Sequence, residues 1–152
     1  YASIDWVSIF LFAGMISVSS AMDKTGAGKL LAKFCVDLLG GTPSPLFVAA
    51  LLFLVSSFLT QFMSNTATAT LLCPIGVAIA QQIGASPHAV VMSITIGIAC
   101  AYATPVGTPP NTLVLGPGGY RFMDYVKVGT PLIFVSFIVS MIVIPIVWPF
   151  FK

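Results

Sequence analysis

A cluster of hydroxyl and amide side chains lies in a region that otherwise has the composition of a membrane interior. Residues 64–70 read Ser-Asn-Thr-Ala-Thr-Ala-Thr, within residues 38–120, which contain no Asp, Glu, Lys or Arg. Neutral amides and hydroxyls donate hydrogen bonds to an anion and offer oxygen atoms to a cation, without the desolvation cost of an unpaired charge. These residue types suit a site that binds a cation and an anion together.

A second polar stretch, residues 104–112, reads Thr-Pro-Val-Gly-Thr-Pro-Pro-Asn-Thr. Three prolines and a glycine interrupt a helix, and an interruption inside a bilayer frees backbone groups that need polar partners. Each of the two stretches carries an Asn-Thr pair, Asn65-Thr66 and Asn111-Thr112. Paired broken helices are typical of ion and substrate sites in secondary transporters, because helix N-termini face an anion and released carbonyls face a cation.

The composition indicates an integral membrane protein. Of 152 residues, 58% are hydrophobic and 7% are charged, with a mean hydropathy of +1.07, whereas soluble domains carry about a quarter charged residues. The net charge of +2 provides no basic surface for nucleic acid. Cys35, Cys73 and Cys100 lack the spacing of a metal site. The sequence begins at Tyr1 without a basic signal region, so we expect a piece of a longer protein.

The first 41 residues predict two elements. Residues 6–22 form an uncharged run, near the lower limit for crossing a hydrocarbon core of about 30 Å, and predict a transmembrane helix. Residues 22–41 predict a helix lying in the membrane interface, because Lys29, Lys33 and Asp37 form one polar stripe at a spacing of four and apolar residues face away from it.

Residues 45–84 predict a re-entrant helical hairpin. Two short apolar arms, 45–60 and 71–83, flank the polar cluster. The first arm is about 24 Å long as a helix, which is short of a full crossing. A polar tip at membrane depth is tolerated only where it is buried in protein or lines a cavity. One continuous helix with a polar patch is the alternative.

Residues 87–116 predict a broken helix that is regular up to Ala103 and interrupted at 104–112. Residues 128–151 contain 24 uncharged residues and predict the last transmembrane helix. The whole chain, 1–152, is thus predicted to be one all-α transmembrane transport unit of a polytopic membrane protein. Three charged residues are predicted to form a short connector before the last helix: Arg121, Asp124 and Lys127.

Some polar residues have a simpler structural interpretation. Serine and threonine in membrane helices commonly donate to a carbonyl of their own helix, and we expect this of four residues: Ser56, Ser57, Thr68 and Thr70. Gln61 either lines the site or caps the hairpin. His88, beside a proline at a predicted helix start, is interpreted as a solvated interfacial residue.

The two motifs resemble those of a known family. Residues 60–68, Thr-Gln-Phe-Met-Ser-Asn-Thr-Ala-Thr, resemble the Ser-Asn-Thr signature of the divalent anion/sodium symporters, and residues 105–111 resemble the proline-rich break that accompanies it. The resemblance covers nearly the whole chain and implies the C-terminal half of such a transporter. Members contain two inverted repeats, each with a Ser-Asn-Thr hairpin, and work as homodimers with an elevator-like motion. The partner hairpin would lie in an N-terminal half outside this sequence.

The resemblance also implies which residues bind. One sodium ion would be held at the hairpin tip and the unwound helix by Thr60, the backbone carbonyl of Met63, Asn65 and the backbone of Gly107. The substrate carboxylate would contact four residues: Ser64, Asn65, Thr66 and Thr108.

The expected function is therefore sodium-coupled transport of dicarboxylates such as succinate, malate or fumarate by a multi-pass protein of the plasma (inner) membrane. Its partners would be sodium, the anion, the lipid bilayer, the N-terminal half and a second copy. An enzyme is not expected, because Ser64 has only His88 as a candidate base. Alternatives are citrate or sulfate transport by the same family, a proton-coupled or arsenite-type ion transporter, and a channel with a re-entrant loop.

Overall fold

A computed structural model describes residue 25 and residues 43–151. In the continuous part the chain is all-α, with five helices: α1 (Pro45–Leu59), α2 (Asn65–Gln82), α3 (Pro87–Ala99), α4 (Pro109–Leu115) and α5 (Phe122–Val147). The helices predicted at 6–22 and 22–41 lie outside the described residues, apart from Thr25, which is helical.

Serine caps determine where the first helices begin. The Ser44 Oγ accepts a hydrogen bond of 3.3 Å from the Phe47 amide at the start of α1. The Ser64 Oγ accepts one of 3.2 Å from the Ala67 amide at the start of α2. These bonds satisfy backbone donors that have no partner within the first turn of a helix. Ser86 occupies the same position before α3, where proline supplies the first residue.

Helices α1 and α3 run parallel and lie very close together. The Ser93 hydroxyl of α3 donates a hydrogen bond of 2.6 Å to the Ala49 carbonyl of α1. One turn further on, a Cβ placed on Gly97 would lie 2.7 Å from the Phe53 carbonyl oxygen. Small residues allow two helix backbones to approach in this way. Ser93 and Gly97 therefore form the small-residue surface of α3 that packs against α1.

Helix α2 runs antiparallel to this pair and completes the apolar core. Gly76 of α2 faces the Ile94 side chain of α3, and a Cβ added there would collide with it. The core side chains come from all three helices: Val48, Leu52, Leu72, Ile79, Ala80, Val90, Ile94 and Ile98. The apolar packing of α1, α2 and α3 fixes the positions of these helices relative to one another.

Helix α5 lies across the outside of this bundle, antiparallel to α3. Phe137 of α5 makes an edge-to-face contact with Phe53, with ring centroids 5.4 Å apart. Beyond the end of α5, the Phe150 carbonyl accepts a hydrogen bond of 2.7 Å from the Ser86 amide. Helix α5 is about 39 Å long, and in the described part of the chain it alone is long and apolar enough to cross a membrane.

The structure changes one predicted boundary of the hairpin and excludes one alternative. The second arm begins at Asn65 rather than at residue 71, because the Ser64 cap lets the polar residues enter the first turns of α2. The alternative of one continuous helix is wrong, since residues 60–64 form a turn between α1 and α2. The non-helical tip of the hairpin is thus shorter than predicted, because the second helix already begins at Asn65.

The predictions for the later elements were wrong in two places. Helix α3 ends at Ala99, not at Ala103, because the side chain of Gln61, which is distant in sequence, donates a hydrogen bond to the Cys100 carbonyl just after that end. The connector predicted before the last helix is instead the start of α5, which runs from Phe122 to Val147. The Asp124 carboxylate accepts a hydrogen bond of 2.8 Å from the Arg121 amide and so stabilises this helix start.

Candidate functional site

The turn after α1 and the break after α3 lie side by side. Because α1 and α3 are parallel, both end at the same level, and the turn at 60–64 brings the start of α2 to that level too. The break, residues 100–108, joins α3 to α4. A hydrogen bond of 2.9 Å from the Gln61 Nε2 atom to the Cys100 carbonyl links the turn to the break directly.

Two predicted sodium ligands are in direct contact. The Thr60 side chain is fully buried, and its hydroxyl donates a hydrogen bond of 2.6 Å to the Asn65 Oδ1 atom. Thr60 caps the end of α1 and Asn65 is the first residue of α2. The turn therefore brings together two side-chain oxygens, one from the residue that caps α1 and one from the first residue of α2.

A third predicted ligand, Gly107, approaches the same place from the break. Gly107 is buried, and a Cβ added to it would lie 3.2 Å from the Thr60 carbonyl oxygen and 3.0 Å from the Ala101 Cβ atom. Its amide donates a hydrogen bond of 3.1 Å to the Thr104 hydroxyl. These Cβ distances are shorter than most contacts of real Cβ atoms, so the absence of a side chain at Gly107 lets the break lie close against the turn.

The other predicted site residues occupy the more open side of the turn. Met63 is 37% exposed, and Ser64, which caps α2, is exposed as well. Thr66 and Thr108 are half-buried, and Thr108 directly follows Gly107. Within residues 43–151, no hydrogen bond joins Met63 or Ser64 to the break. The structure thus brings the turn and Gly107 together but leaves Met63 at the surface.

The break is held open by side chains that donate to its carbonyls. The Asn111 Nδ2 atom donates to the Ala101 carbonyl at 2.8 Å and to the Thr104 carbonyl at 3.0 Å. The Thr112 hydroxyl donates to the Pro105 carbonyl at 2.6 Å. In a regular helix the Ala101 and Pro105 carbonyls would accept from residues 105 and 109, which are prolines without an amide hydrogen, so the side chains replace these missing donors. The sequence pointed to the Asn111-Thr112 pair as polar content of the break, and the structure adds what the pair does.

Two residues important to the arrangement were not predicted to have these contacts. Gln61, left undecided between lining the site and capping the hairpin, bonds both the last turn of α1 and the break. The Tyr125 hydroxyl of α5 donates a hydrogen bond of 2.8 Å to the Asn111 carbonyl. The only sequence feature that could have indicated the contacts of Gln61 is its position in an uncharged region. No sequence feature indicated the contact of Tyr125.

The hydroxyls interpreted as structural bond their own helices. The Ser56 hydroxyl donates to the Phe53 carbonyl at 2.9 Å and the Thr70 hydroxyl to the Ala67 carbonyl at 2.9 Å. Thr68 donates to the Ser64 carbonyl at 3.1 Å. The prediction is confirmed for these three residues. Ser57 takes part through its backbone carbonyl, which accepts from Gln61.

The electrostatics of the region come from helix ends rather than from charged side chains. Residues 43–120 contain no charged residue, and the first ones after them lie exposed at the start of α5. The C-terminal ends of α1 and α3 carry partial negative charge, which favours a cation, and the N-terminal end of α2 carries partial positive charge, which favours an anion. In the described part of the chain, every buried polar side-chain atom has a hydrogen-bond partner.

A comparison with protein families matches residues 1–151 to the family described as citrate transporter. The chain belongs to the citrate transporter family. This match agrees with the resemblance to sodium symporters of divalent anions, and it places the chain in a family of transporters rather than of enzymes.

Several known transporters are similar to this chain. The uncharacterized transporter YfbS of Escherichia coli is 42% identical over 99% of this chain and 24% of its own length. An uncharacterized transporter of Synechocystis is 39% identical over 87% of this chain and 21% of its own length. The sodium-dependent dicarboxylate transporter SdcS of Staphylococcus saprophyticus is 30% identical over 93% of this chain and 27% of its own length. The chain spans about a quarter of the length of these relatives.

Proposed function

We propose that this chain forms one half of the ion and substrate site of a sodium-coupled secondary transporter of dicarboxylates. The observation that carries the proposal is the meeting of Thr60, Asn65 and Gly107 at the junction of three elements. Two of these residues supply neutral side-chain oxygens, and Gly107 brings the backbone of the break against Thr60. Neutral oxygens near helix C-termini favour a monovalent cation such as sodium.

The sodium ligands in this proposal are the Thr60 hydroxyl, the Asn65 side-chain oxygen and backbone oxygens of Met63 and Gly107. Sodium supplies the positive charge that the side chains of this region lack, since residues 43–120 contain no Lys or Arg. A bound cation lowers the cost of bringing a substrate carboxylate next to it, because opposite charges attract strongly where water is excluded. Cation and anion binding are coupled for this reason.

The anion is proposed to bind at the start of α2. This helix contains 18 residues, so its N-terminal end presents free amides and a partial positive charge. Ser64, Asn65 and Thr66 lie at this end, and Thr108 of the break is the fourth proposed contact. Hydroxyl and amide donors of this kind recognise a carboxylate by hydrogen bonds.

The choice of dicarboxylate rests on a relative. The relative SdcS, 30% identical to this chain, is named a sodium-dependent dicarboxylate transporter. Citrate is the second candidate, because the family that matches residues 1–151 is described as citrate transporter. A four-carbon dicarboxylate and citrate present the same carboxylate to the start of α2 and differ in the groups that an additional half of the site would contact.

The proposed membrane arrangement follows from helix lengths. Helix α1 is about 22 Å long, less than the hydrocarbon core of about 30 Å. Its hairpin with α2 is therefore proposed to be re-entrant, with the turn at membrane depth, and α5 to span the membrane. A second hairpin in an N-terminal half, an interfacial helix at 22–41, a homodimer and an elevator-type movement in the plasma (inner) membrane complete the proposal.

The test is transport by the full-length protein reconstituted in vesicles. Uptake of succinate should require an inward sodium gradient, and Asn65→Ala should abolish it while the purified variant elutes as the same species. Citrate, sulfate and arsenite are offered in parallel, with a proton gradient replacing sodium in a second arm. Succinate uptake that does not depend on the sodium gradient, or full uptake by the Asn65→Ala variant, would overturn the proposal.

A further inference from the structure

Gln61 is the polar residue that joins the turn to the break most extensively. Its side chain is only 5% exposed. The Nε2 atom donates to the Ser57 carbonyl at 2.8 Å and to the Cys100 carbonyl at 2.9 Å. The Oε1 atom accepts a hydrogen bond of 3.1 Å from the Ala103 amide. One side chain thus bonds the last turn of α1, the end of α3 and the break.

We infer that Gln61 is a positioning residue that fixes Gly107 against Thr60 and thereby sets the affinity for sodium. The inference deepens the proposed function and rests on it for the identity of the ion. Gln61 lies next to Thr60 in the chain but is not a proposed ligand, and both ends of its amide are used by backbone groups. Its effect on the ion therefore passes through the break.

A chain of hydrogen bonds connects Gln61 to Gly107. The Thr104 hydroxyl donates a bond of 2.9 Å to the Gln61 carbonyl and accepts one of 3.1 Å from the Gly107 amide. Thr104 is itself buried. The backbone of Gln61 thus positions Gly107 through Thr104, while its side chain positions Ala103 and Cys100 on the same loop.

An amide is the side chain that these backbone groups require. Helices α1 and α3 both end here, so their last carbonyls need donors, whereas the Ala103 amide of the break needs an acceptor. Glutamine provides two donor hydrogens and one acceptor oxygen on the same planar group. In Gln61→Glu the ionised side chain keeps the acceptor and loses both donors. In Gln61→Met the shape is retained and all three bonds are lost.

The first measurement is the sodium dependence of uptake by the full-length protein in vesicles. Gln61→Met should raise the half-saturating sodium concentration by about tenfold, because the three lost bonds leave buried backbone groups unpaired. The maximal rate at saturating sodium should fall much less. Gln82→Met, at an exposed position near the end of α2, is the matched control and should resemble the wild type. An unchanged sodium dependence in Gln61→Met would overturn the inference.

The second measurement does not depend on transport and so separates this inference from the proposed function. Amide hydrogen exchange in peptides covering residues 101–108 should accelerate by about tenfold in Gln61→Met, while peptides from α3 and α5 exchange as in the wild type. Gln61→Glu keeps the acceptor for the Ala103 amide, so exchange at Ala103 should accelerate less than in Gln61→Met. Exchange that is unaltered at 101–108, or raised equally throughout the protein, would contradict a positioning role. Absence of sodium-driven uptake in the wild type would instead refute the proposed function.

Discussion

The Thr60 hydroxyl donates a hydrogen bond of 2.6 Å to the side-chain oxygen of Asn65, joining the residue that caps the end of α1 to the first residue of α2. This contact spans the turn of the hairpin and brings two side-chain oxygens together. Gly107 reaches the same point, with its backbone against the Thr60 carbonyl. The proposed sodium site therefore depends on short contacts between the end of α1, the start of α2 and the break at Gly107.

A charge introduced at Asn65 should separate cation binding from anion binding. In Asn65→Asp a carboxylate faces the proposed substrate carboxylate, and two like charges about 4 Å apart repel by about 4 kcal/mol at an intermediate dielectric constant. The half-saturating succinate concentration should rise at least about tenfold, whereas sodium affinity should not weaken. Uptake titrated separately in succinate and in sodium measures both. Equal weakening of the two affinities would argue against separate cation and anion contacts at this residue.

A methyl group at Gly107 should move the break away from the turn. In Gly107→Ala the new Cβ would lie 3.0 Å from the Ala101 Cβ and 3.2 Å from the Thr60 carbonyl oxygen. Such overpacking costs about 1–3 kcal/mol, and uptake at limiting sodium should fall at least about fivefold. Gly116→Ala is the control, because a Cβ there meets nothing within 4 Å. Equal uptake by Gly107→Ala and Gly116→Ala would contradict a functional role for the close approach of Gly107 to Thr60.

The parallel packing of α1 and α3 should depend on Ser93. Its hydroxyl donates a buried bond of 2.6 Å to the Ala49 carbonyl, and hydrogen bonds between membrane helices are worth about 0.6–1.7 kcal/mol. Ser93→Ala should lower the thermal unfolding midpoint of the purified protein in detergent. Thr95→Val should lower it less, because Thr95 is exposed and bonds its own helix at Val91. A larger decrease of the unfolding midpoint in Thr95→Val than in Ser93→Ala would contradict the packing of α1 against α3 at Ser93.

The link from α5 to the break should affect rate more than ion affinity. Tyr125→Phe removes the donor to the Asn111 carbonyl at 2.8 Å, while Asn111 still bonds the break through its amide. The maximal uptake rate should fall roughly two- to fivefold, with little change in half-saturating sodium. Tyr120→Phe removes a hydroxyl from the neighbouring ring, 6.1 Å away, and should leave the rate unchanged. Identical rates in Tyr125→Phe and the wild type would show that this bond is dispensable.

Local chemistry was enough to predict the elements around the site. The serine and proline residues at the starts of α1, α2 and α3 act within one helical turn, and the prolines at 105, 109 and 110 interrupt the chain wherever it lies. The hairpin turn and the break were therefore predictable from short stretches. The resemblance added residues such as Gly107, whose approach to Thr60 no local pattern indicates.

Long-range bonds account for what was predicted wrongly or left open. Helix α3 stops at Ala99 rather than Ala103 because Gln61, about 40 residues earlier in the chain, bonds Cys100 and Ala103. Sequence separation hides such a contact, and an uncharged glutamine has no periodic pattern that reveals its partner. The start of α5 was mistaken for a connector because its charged first turns look like a loop, although Asp124 stabilises the helix start.

The most direct test of a sodium site at Thr60 is the sodium dependence of uptake in Thr60→Val, with Thr68→Val as the matched control. Both threonines are fully buried, and both changes replace a hydroxyl by a methyl group of similar size. The Thr60 hydroxyl contacts Asn65, whereas the Thr68 hydroxyl bonds the Ser64 carbonyl of its own helix. We expect the half-saturating sodium concentration to rise at least about tenfold in Thr60→Val and to change less than about twofold in Thr68→Val. Equal sodium dependence in the two variants would contradict a sodium site at Thr60.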